Sequence, residues 1–420
     1  MPILVEQGKM HFRVLDSWRG LAALFVALFH LDIYSVLYSL DFTRNAYLFV
    51  DFFFVLSGFV ITHTYANRLG TPEAVGIFAI KRLGRLWPLH VVVLLAFIVA
   101  EGGKVFLAAR GSSFFVPPFT GPNSPDAILI NLFFGQSVGI VPHLTWNPPS
   151  WSISAEFWTY MIFAAALFAA TTWFSRIRFA SVILVSALII GSVAILILFA
   201  KHGIDATYDL GLVRCLYGFL VGHLTYRFWH AVSHVKFRTG LVEVAQVIAV
   251  FMFVSSVGRT GYSLFAPLVF AVFVFTFAFE SGPVSNLLLN GVNQWIGRIS
   301  YSIYMWQAFI IFNFVDRPVS IIEKMTGKVL TMPDAVSSAV GSESAKLIVL
   351  GGQLLPILAT VLYFGVLVAV ASVSYYCIER PGQRLFGRIE DWLWHGSMSP
   401  AQADNRSREA TRSTVRSQWR

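Results

Sequence analysis

Residues 18–40 read WRGLAALFVALFHLDIYSVLYSL. A helix needs about 20 predominantly apolar residues to cross the hydrocarbon of a bilayer, and this run supplies them. Runs of the same kind recur at 46–66, 87–108, 151–173, 179–200, 211–229, 241–257, 262–279, 299–315 and 347–377. Ten crossings are therefore expected, and the predicted fold is all-α: a polytopic integral membrane helix bundle of about ten transmembrane helices. An eleventh apolar stretch, AILINLFFGQSVGIV at 127–141, is short, contains two glycines and lies between turn-rich segments. It is read as re-entrant or interfacial.

The composition agrees. Of 420 residues, 56% are hydrophobic and only 13% charged, about half the charge of an ordinary soluble protein. That excludes a typical cytosolic enzyme, a coiled coil and a disordered chain. The net charge of +9 raises the question of nucleic acid. The basic residues, however, gather in short links and in the tail instead of forming one wettable face, so no nucleic-acid partner is expected. Cys215 and Cys377 both sit in apolar runs, leaving neither a disulfide framework nor a CxxC metal site; no metal is expected.

Basic residues concentrate on the cytoplasmic side of membrane proteins. Ten spans with a cytoplasmic N-terminus put Arg68, Lys81, Arg82 and Arg85, then Arg176 and Arg178, then Arg227, Lys236 and Arg238, then Arg298 inside. The basic tail falls inside too. Residues 1–14 are read as a cytoplasmic segment without a cleavage site, so the first helix is expected to be kept. Residues 15–381 form the transmembrane domain, and 382–420 a cytoplasmic tail that is disordered after about 396. The longest outer link, 316–346, is read as a lid or a membrane-surface segment.

An ionisable side chain inside a span is costly unless it faces the bundle interior, and so marks a candidate site. Arg19 and His30 are 11 residues apart, which is three helical turns plus ~20°, so one face carries both. His30 then has the chemistry of a general base toward a hydroxyl; a core histidine bonded to a backbone carbonyl is the plainer alternative. Asp51 opens the second run and Glu156 lies one turn into the WSISAEFW run. Both are expected in the outer half near His30, where either could orient a base, or each could serve as a helix N-terminal anion. Arg82 and Arg85, three residues apart in KRLGRLWPLH, form a phosphate fork at the cytoplasmic mouth or anchor lipid head groups.

With these residues in hand, the chain resembles the membrane-bound acyltransferase family 3, whose members acylate glycans. The family's Arg-x10-His pair matches Arg19 and His30, and its FFFVLSGF segment matches residues 52–59. Its Arg-x-x-Arg element matches Arg82 and Arg85, and its WS-x-x-x-E element matches Trp151, Ser152 and Glu156. ISYSIYMWQ at 299–307 and the ERP of 379–381 match its late motifs. Gln307 departs from the family, many members of which have histidine there, so a proton-transfer role is not carried over. No fused esterase-like domain is expected either.

The resemblance implies an O-acyltransferase of the cell (inner) membrane, using cytosolic acyl-CoA, commonly acetyl-CoA, as donor substrate with no permanently bound cofactor. The acceptor would be a glycan or lipid-linked carbohydrate, with membrane lipids as the surroundings. His30 would be the general base or a transient acyl carrier, and Glu156 or Asp51 would orient it. Arg19, Arg82 and Arg85 would hold the donor. Ser57, Trp151, Ser152, Tyr301 and Tyr304 would line the substrate groove, although the two tyrosines also suit an interfacial aromatic belt. The rival reading of the same buried charges is a proton-coupled secondary transporter or exporter of a sugar-like solute.

Overall fold

The computed structural model describes residues 11–65, 68–111, 116–174, 176–177, 179–235, 239–333 and 346–395. Its framework is helical: α1 Arg13–Phe29, α2 Asp41–Arg44, α3 Phe49–Tyr65, α4 Pro72–Ala108, α5 Asp126–Leu132, α6 Trp151–Thr172 and α7 Ala180–Phe199. Then follow α8 Gly211–Val232, α9 Gly240–Val257, α10 Ala266–Phe277, α11 Pro283–Leu288, α12 Gly291–Ile310 and α13 Arg317–Thr326. Helices α14 Leu354–Ser374 and α15 Arg380–His395 close the described chain. Each of the ten expected runs holds a helix. Six segments among the described residues are long and apolar enough to cross a membrane, namely Ala46–Tyr65, Pro72–Ala108, Pro148–Thr172, Ala180–Phe199, Gly240–Val257 and Leu354–Leu393. The remaining four runs hold α1, α8, α10 and α12, which are shorter or more polar. The protein is an all-α polytopic membrane bundle.

Local chemistry explains several boundaries. Thr71 caps α4 by accepting from the Ala74 amide at 3.2 Å, with Pro72 at the first helical position, where its missing N–H costs nothing. Helix α4 starts well before the expected 87, so Arg82 and Arg85 ride inside a 37-residue helix of ~55 Å and not in a link. Helix α1 stops at Phe29, far short of 40. Beyond it the Asp32 carbonyl accepts from the Ile348 amide and the Tyr34 amide donates to the Ile348 carbonyl, each at 2.8 Å, so the backbone satisfies itself against a strand instead of continuing the helix. That strand, β2 (Lys346–Ile348), pairs antiparallel with β1 (Thr331–Pro333) in the register Thr331↔Ile348, Met332↔Leu347 and Pro333↔Lys346. The long outer link thus holds α13 and this small ribbon, with 334–345 outside the described residues. So are Arg178, Lys236, Arg238 and the tail from 396. Residues 382–395, expected in the tail, instead continue α15, which packs along α4: a Cβ on Gly84 would come within 2.3 Å of Phe386, and one on Gly382 within 2.6 Å of Pro88. The 127–141 stretch holds only the seven-residue α5.

Two glycine-lined seams set the interior. A Cβ on Gly58 would come within 1.9 Å of the Phe219 carbonyl oxygen, and one on Gly222 within 2.0 Å of that of Val55, so α3 and α8 touch backbone to backbone. A Cβ on Gly20 would meet the Gly297 nitrogen at 2.7 Å, and one on Gly297 the Asp16 carbonyl at 2.4 Å, which brings α1 onto α12. Small residues allow such approaches in lipid, where packing is the main association force. Residues of α1, α3, α4, α6 and α12 surround a common space.

Candidate active site

That space is a cavity of about 800 Å³, open mouth included, lined by Arg19, Ser57, Arg82, Arg85, Ser152, Glu156, Tyr160, Ser300, Tyr301 and Tyr304 together with an apolar wall from α3. Arg19 is fully engaged: it pairs with Asp16 at 2.8 Å and donates to Ser300 Oγ and the Gly297 carbonyl, each at 3.0 Å. Asp16 also binds His11 at 2.8 Å, and this hydrogen bond raises the His11 pKa above its ordinary value. Arg82 lies among the rings of Tyr65, Phe78 and Tyr160 and donates to the Tyr65 hydroxyl at 3.4 Å, while its buried Nε has no partner among the described residues. Arg85 makes no hydrogen bond or ion pair among the described residues; Glu156 and Glu379 supply the nearby negative charge.

Glu156 accepts from Ser57 Oγ at 2.7 Å and from the Tyr160 hydroxyl. Tyr160 stands one turn beyond Glu156 on α6, and this i,i+4 spacing was available in the sequence without being used. Tyr301 donates to the Leu86 carbonyl at 2.6 Å, and Glu379 of the ERP motif accepts from Ser302 Oγ at 3.0 Å.

His30 is elsewhere. It caps the end of α1 and lines a second cavity, also about 800 Å³, with Asp32, Arg44, Pro148, Pro149 and Arg259. Arg19 and His30 therefore open into different cavities, because α1 ends one residue before His30 and Arg19 is drawn toward α12. The imidazole Nδ1 lies 2.9 Å from the Val26 carbonyl. A carbonyl can only accept, so Nδ1 carries the proton and Nε2 keeps its lone pair. Between the cavities stands a partition in which the hydroxyls of Ser152 and Tyr304 lie 2.8 Å apart, each 3.1 Å from the Pro149 carbonyl oxygen.

Asp51 joins neither cavity. Wholly buried, it accepts from Arg214 Nε at 3.0 Å and Nη2 at 2.8 Å, and Trp151 stacks over that guanidinium at 5.3 Å. Arg214 reaches Asp205 at 3.5 Å, and Asp205 pairs with Arg259 at 2.7 Å, so a charge-balanced chain runs from Asp51 to the wall of the second cavity. Arg214 went unnoticed in the sequence, although a lone arginine in an otherwise apolar run is the kind of signal that singled out Arg19.

A family profile described as an acyltransferase domain matches residues 12–376. The peptidoglycan O-acetyltransferase OatA of Listeria monocytogenes is 24% identical over 71% of this chain and 49% of its own length. The acyltransferase MdmB of Streptomyces mycarofaciens is 32% identical over 27% of this chain and 26% of its own. "Protein 2 in picA locus" of Rhizobium radiobacter is 42% identical over 20% of this chain and 42% of its own. The chain thus spans about half or less of these curated relatives. No solved structure matches.

Proposed function

The chain belongs to the acyltransferase domain family, and on that premise we propose that it is a membrane O-acyltransferase that moves an acyl group, acetyl foremost, from acyl-CoA to a hydroxyl of a cell-surface or secreted glycan. It would sit in the inner membrane with both termini in the cytoplasm. The observation that carries this reading is the first cavity, where three arginines and one carboxylate face each other beside an apolar wall. Arg85, with no hydrogen bond or ion pair among the described residues, and Arg82, held among aromatic rings, offer guanidinium forks to donor phosphates. Arg19, pinned on three sides, supplies fixed positive charge near the thioester carbonyl.

The second cavity takes the acceptor. With Nδ1 committed to Val26, His30 Nε2 receives the proton of the acceptor hydroxyl as its oxygen attacks the thioester carbonyl carbon. The new C–O bond forms, the C–S bond breaks, and the proton passes on to the departing thiolate. For this, donor and acceptor must meet across the Ser152–Tyr304 partition. The Val26 carbonyl orients the imidazole, while Glu156 organises Ser57 and Tyr160 on the donor side.

The test is mass spectrometry of surface glycan from cells expressing wild type, His30→Ala or Glu156→Gln. The acyl increment is expected to vanish in the first and to fall by about tenfold or more in the second, the scale of a weakened hydrogen bond to a charged group, with all three proteins inserted in the membrane. An unchanged increment in His30→Ala removes that residue from the reaction, and full retention in both variants removes the enzyme reading.

A further inference from the structure

His11 stands just ahead of α1 with its side chain 70% exposed, and its Nε2 lies 2.8 Å from Asp16 Oδ2. A carboxylate can only accept, so Nε2 carries a hydrogen and the proton exchanged with solvent sits on Nδ1. Asp16 divides its oxygens: while Oδ2 faces His11, Oδ1 accepts from Arg19 Nη1 at 2.8 Å. Its backbone is fixed as well, because its carbonyl lies in the seam where α1 meets Gly297 of α12. Arg19 in turn lines the first cavity, with Nε donating to Ser300 Oγ and Nη2 to the Gly297 carbonyl, each at 3.0 Å. An exposed imidazole is thereby linked, through one carboxylate, to a guanidinium inside the cavity. The three side chains sum to zero charge when the imidazole is neutral and to one positive charge when it is protonated.

We propose that Asp16 is a positioning residue for Arg19 and that His11 makes its effect depend on cytosolic pH: a protonated His11 draws on the Asp16 carboxylate and leaves the Arg19 charge less compensated toward an anionic donor. This rests on the first cavity taking acyl-CoA from the cytoplasmic side. The hydrogen bond to Asp16 lifts the His11 pKa above its ordinary value of 6.5, so the charged form persists into the neutral range. Donor affinity is then greatest below that midpoint and declines as pH rises through it. The other charged or titratable groups among the described residues around these contacts are Arg13 on α1, Glu280 after α10, His63 on α3 beside Phe12, Arg85 on α4 and Glu379 before α15. All of them stay in place in a His11 variant.

The test is calorimetry of acetyl-CoA binding to the full-length protein in lipid nanodiscs, from about pH 6.5 to about pH 8.5, where a raised imidazole titrates. Relative to His11→Gln, which keeps a hydrogen-bond donor but cannot charge, wild-type affinity is expected to fall about fivefold across that range, the low end of coupling between linked groups. The same reference cancels every other titration, of protein and donor alike. Asp16→Asn adds a readout that a purely structural role would not give. It leaves Arg19 uncompensated at every pH, so binding at the alkaline end should be tighter than in wild type, whereas loss of a mere tether would weaken it. Coincident pH profiles in wild type and His11→Gln, or weaker binding by Asp16→Asn throughout, overturn the proposal while leaving the donor site standing. A wild type that binds no acetyl-CoA at any pH overturns the donor reading and this inference together.

Discussion

Ser152 and Tyr304 hold their hydroxyls 2.8 Å apart in the partition that separates an arginine-lined cavity from the one containing His30. Tyr304→Phe removes one neutral hydrogen bond worth about 1 kcal/mol, which raises the open population about fivefold. Acetyl-CoA hydrolysis without acceptor, measured in proteoliposomes, should rise by a similar factor. An unaltered rate would mean that the partition is not what keeps the two substrates apart.

The buried Asp51–Arg214 pair makes a different prediction. Asp51→Asn leaves a guanidinium that is 1% exposed without its main counter-charge, at a cost of about 3–5 kcal/mol. The melting temperature in detergent should drop markedly, and Asp51→Leu combined with Arg214→Met should recover most of it, because removing both charges removes the unpaired one. A fully stable but inactive Asp51→Asn protein would instead make the carboxylate part of the chemistry.

Donor binding tests the two arginines of α4. Arg85→Ala should weaken acetyl-CoA binding by roughly tenfold to a hundredfold, the range for a lost hydrogen bond to a charged group. Arg85→Lys should recover only part of that, since an ammonium is a point charge and not a planar fork. Calorimetry on purified protein gives both numbers; equal affinities in wild type and Arg85→Ala would place the donor elsewhere.

The α3–α8 seam is tested by its glycine. Gly58→Ala forces a methyl to within 1.9 Å of the Phe219 carbonyl oxygen, and overpacking of this kind costs about 1–3 kcal/mol. Gly365→Ala on α14 meets nothing within 4 Å and should be neutral or slightly stabilising. Thermal melts of the two variants should differ accordingly.

Much of this protein was legible in its sequence, because bilayer thickness imposes a minimum apolar length and a penalty on stray charges, and both are local properties. Each of the ten apolar runs holds a helix, Arg19 and Glu156 were visible as ionisable residues inside such runs, Arg82 and Arg85 as a basic pair at the cytoplasmic mouth, and Tyr304 through the family resemblance. Only the tertiary structure decided which of those residues meet. The rise and twist of an ideal helix put Arg19 and His30 on one face, but the helix ends at Phe29, where a distant strand offers backbone partners, and Arg19 is pulled to Gly297 and Ser300. The destination of Asp51 was hidden for the same reason: its partner Arg214 lies 163 residues away, and no periodicity within one helix records which neighbour will face it. Helix formation is encoded in short windows of chain, whereas side-chain pairing depends on contacts between helices, which here are set by glycine seams that let certain backbones touch.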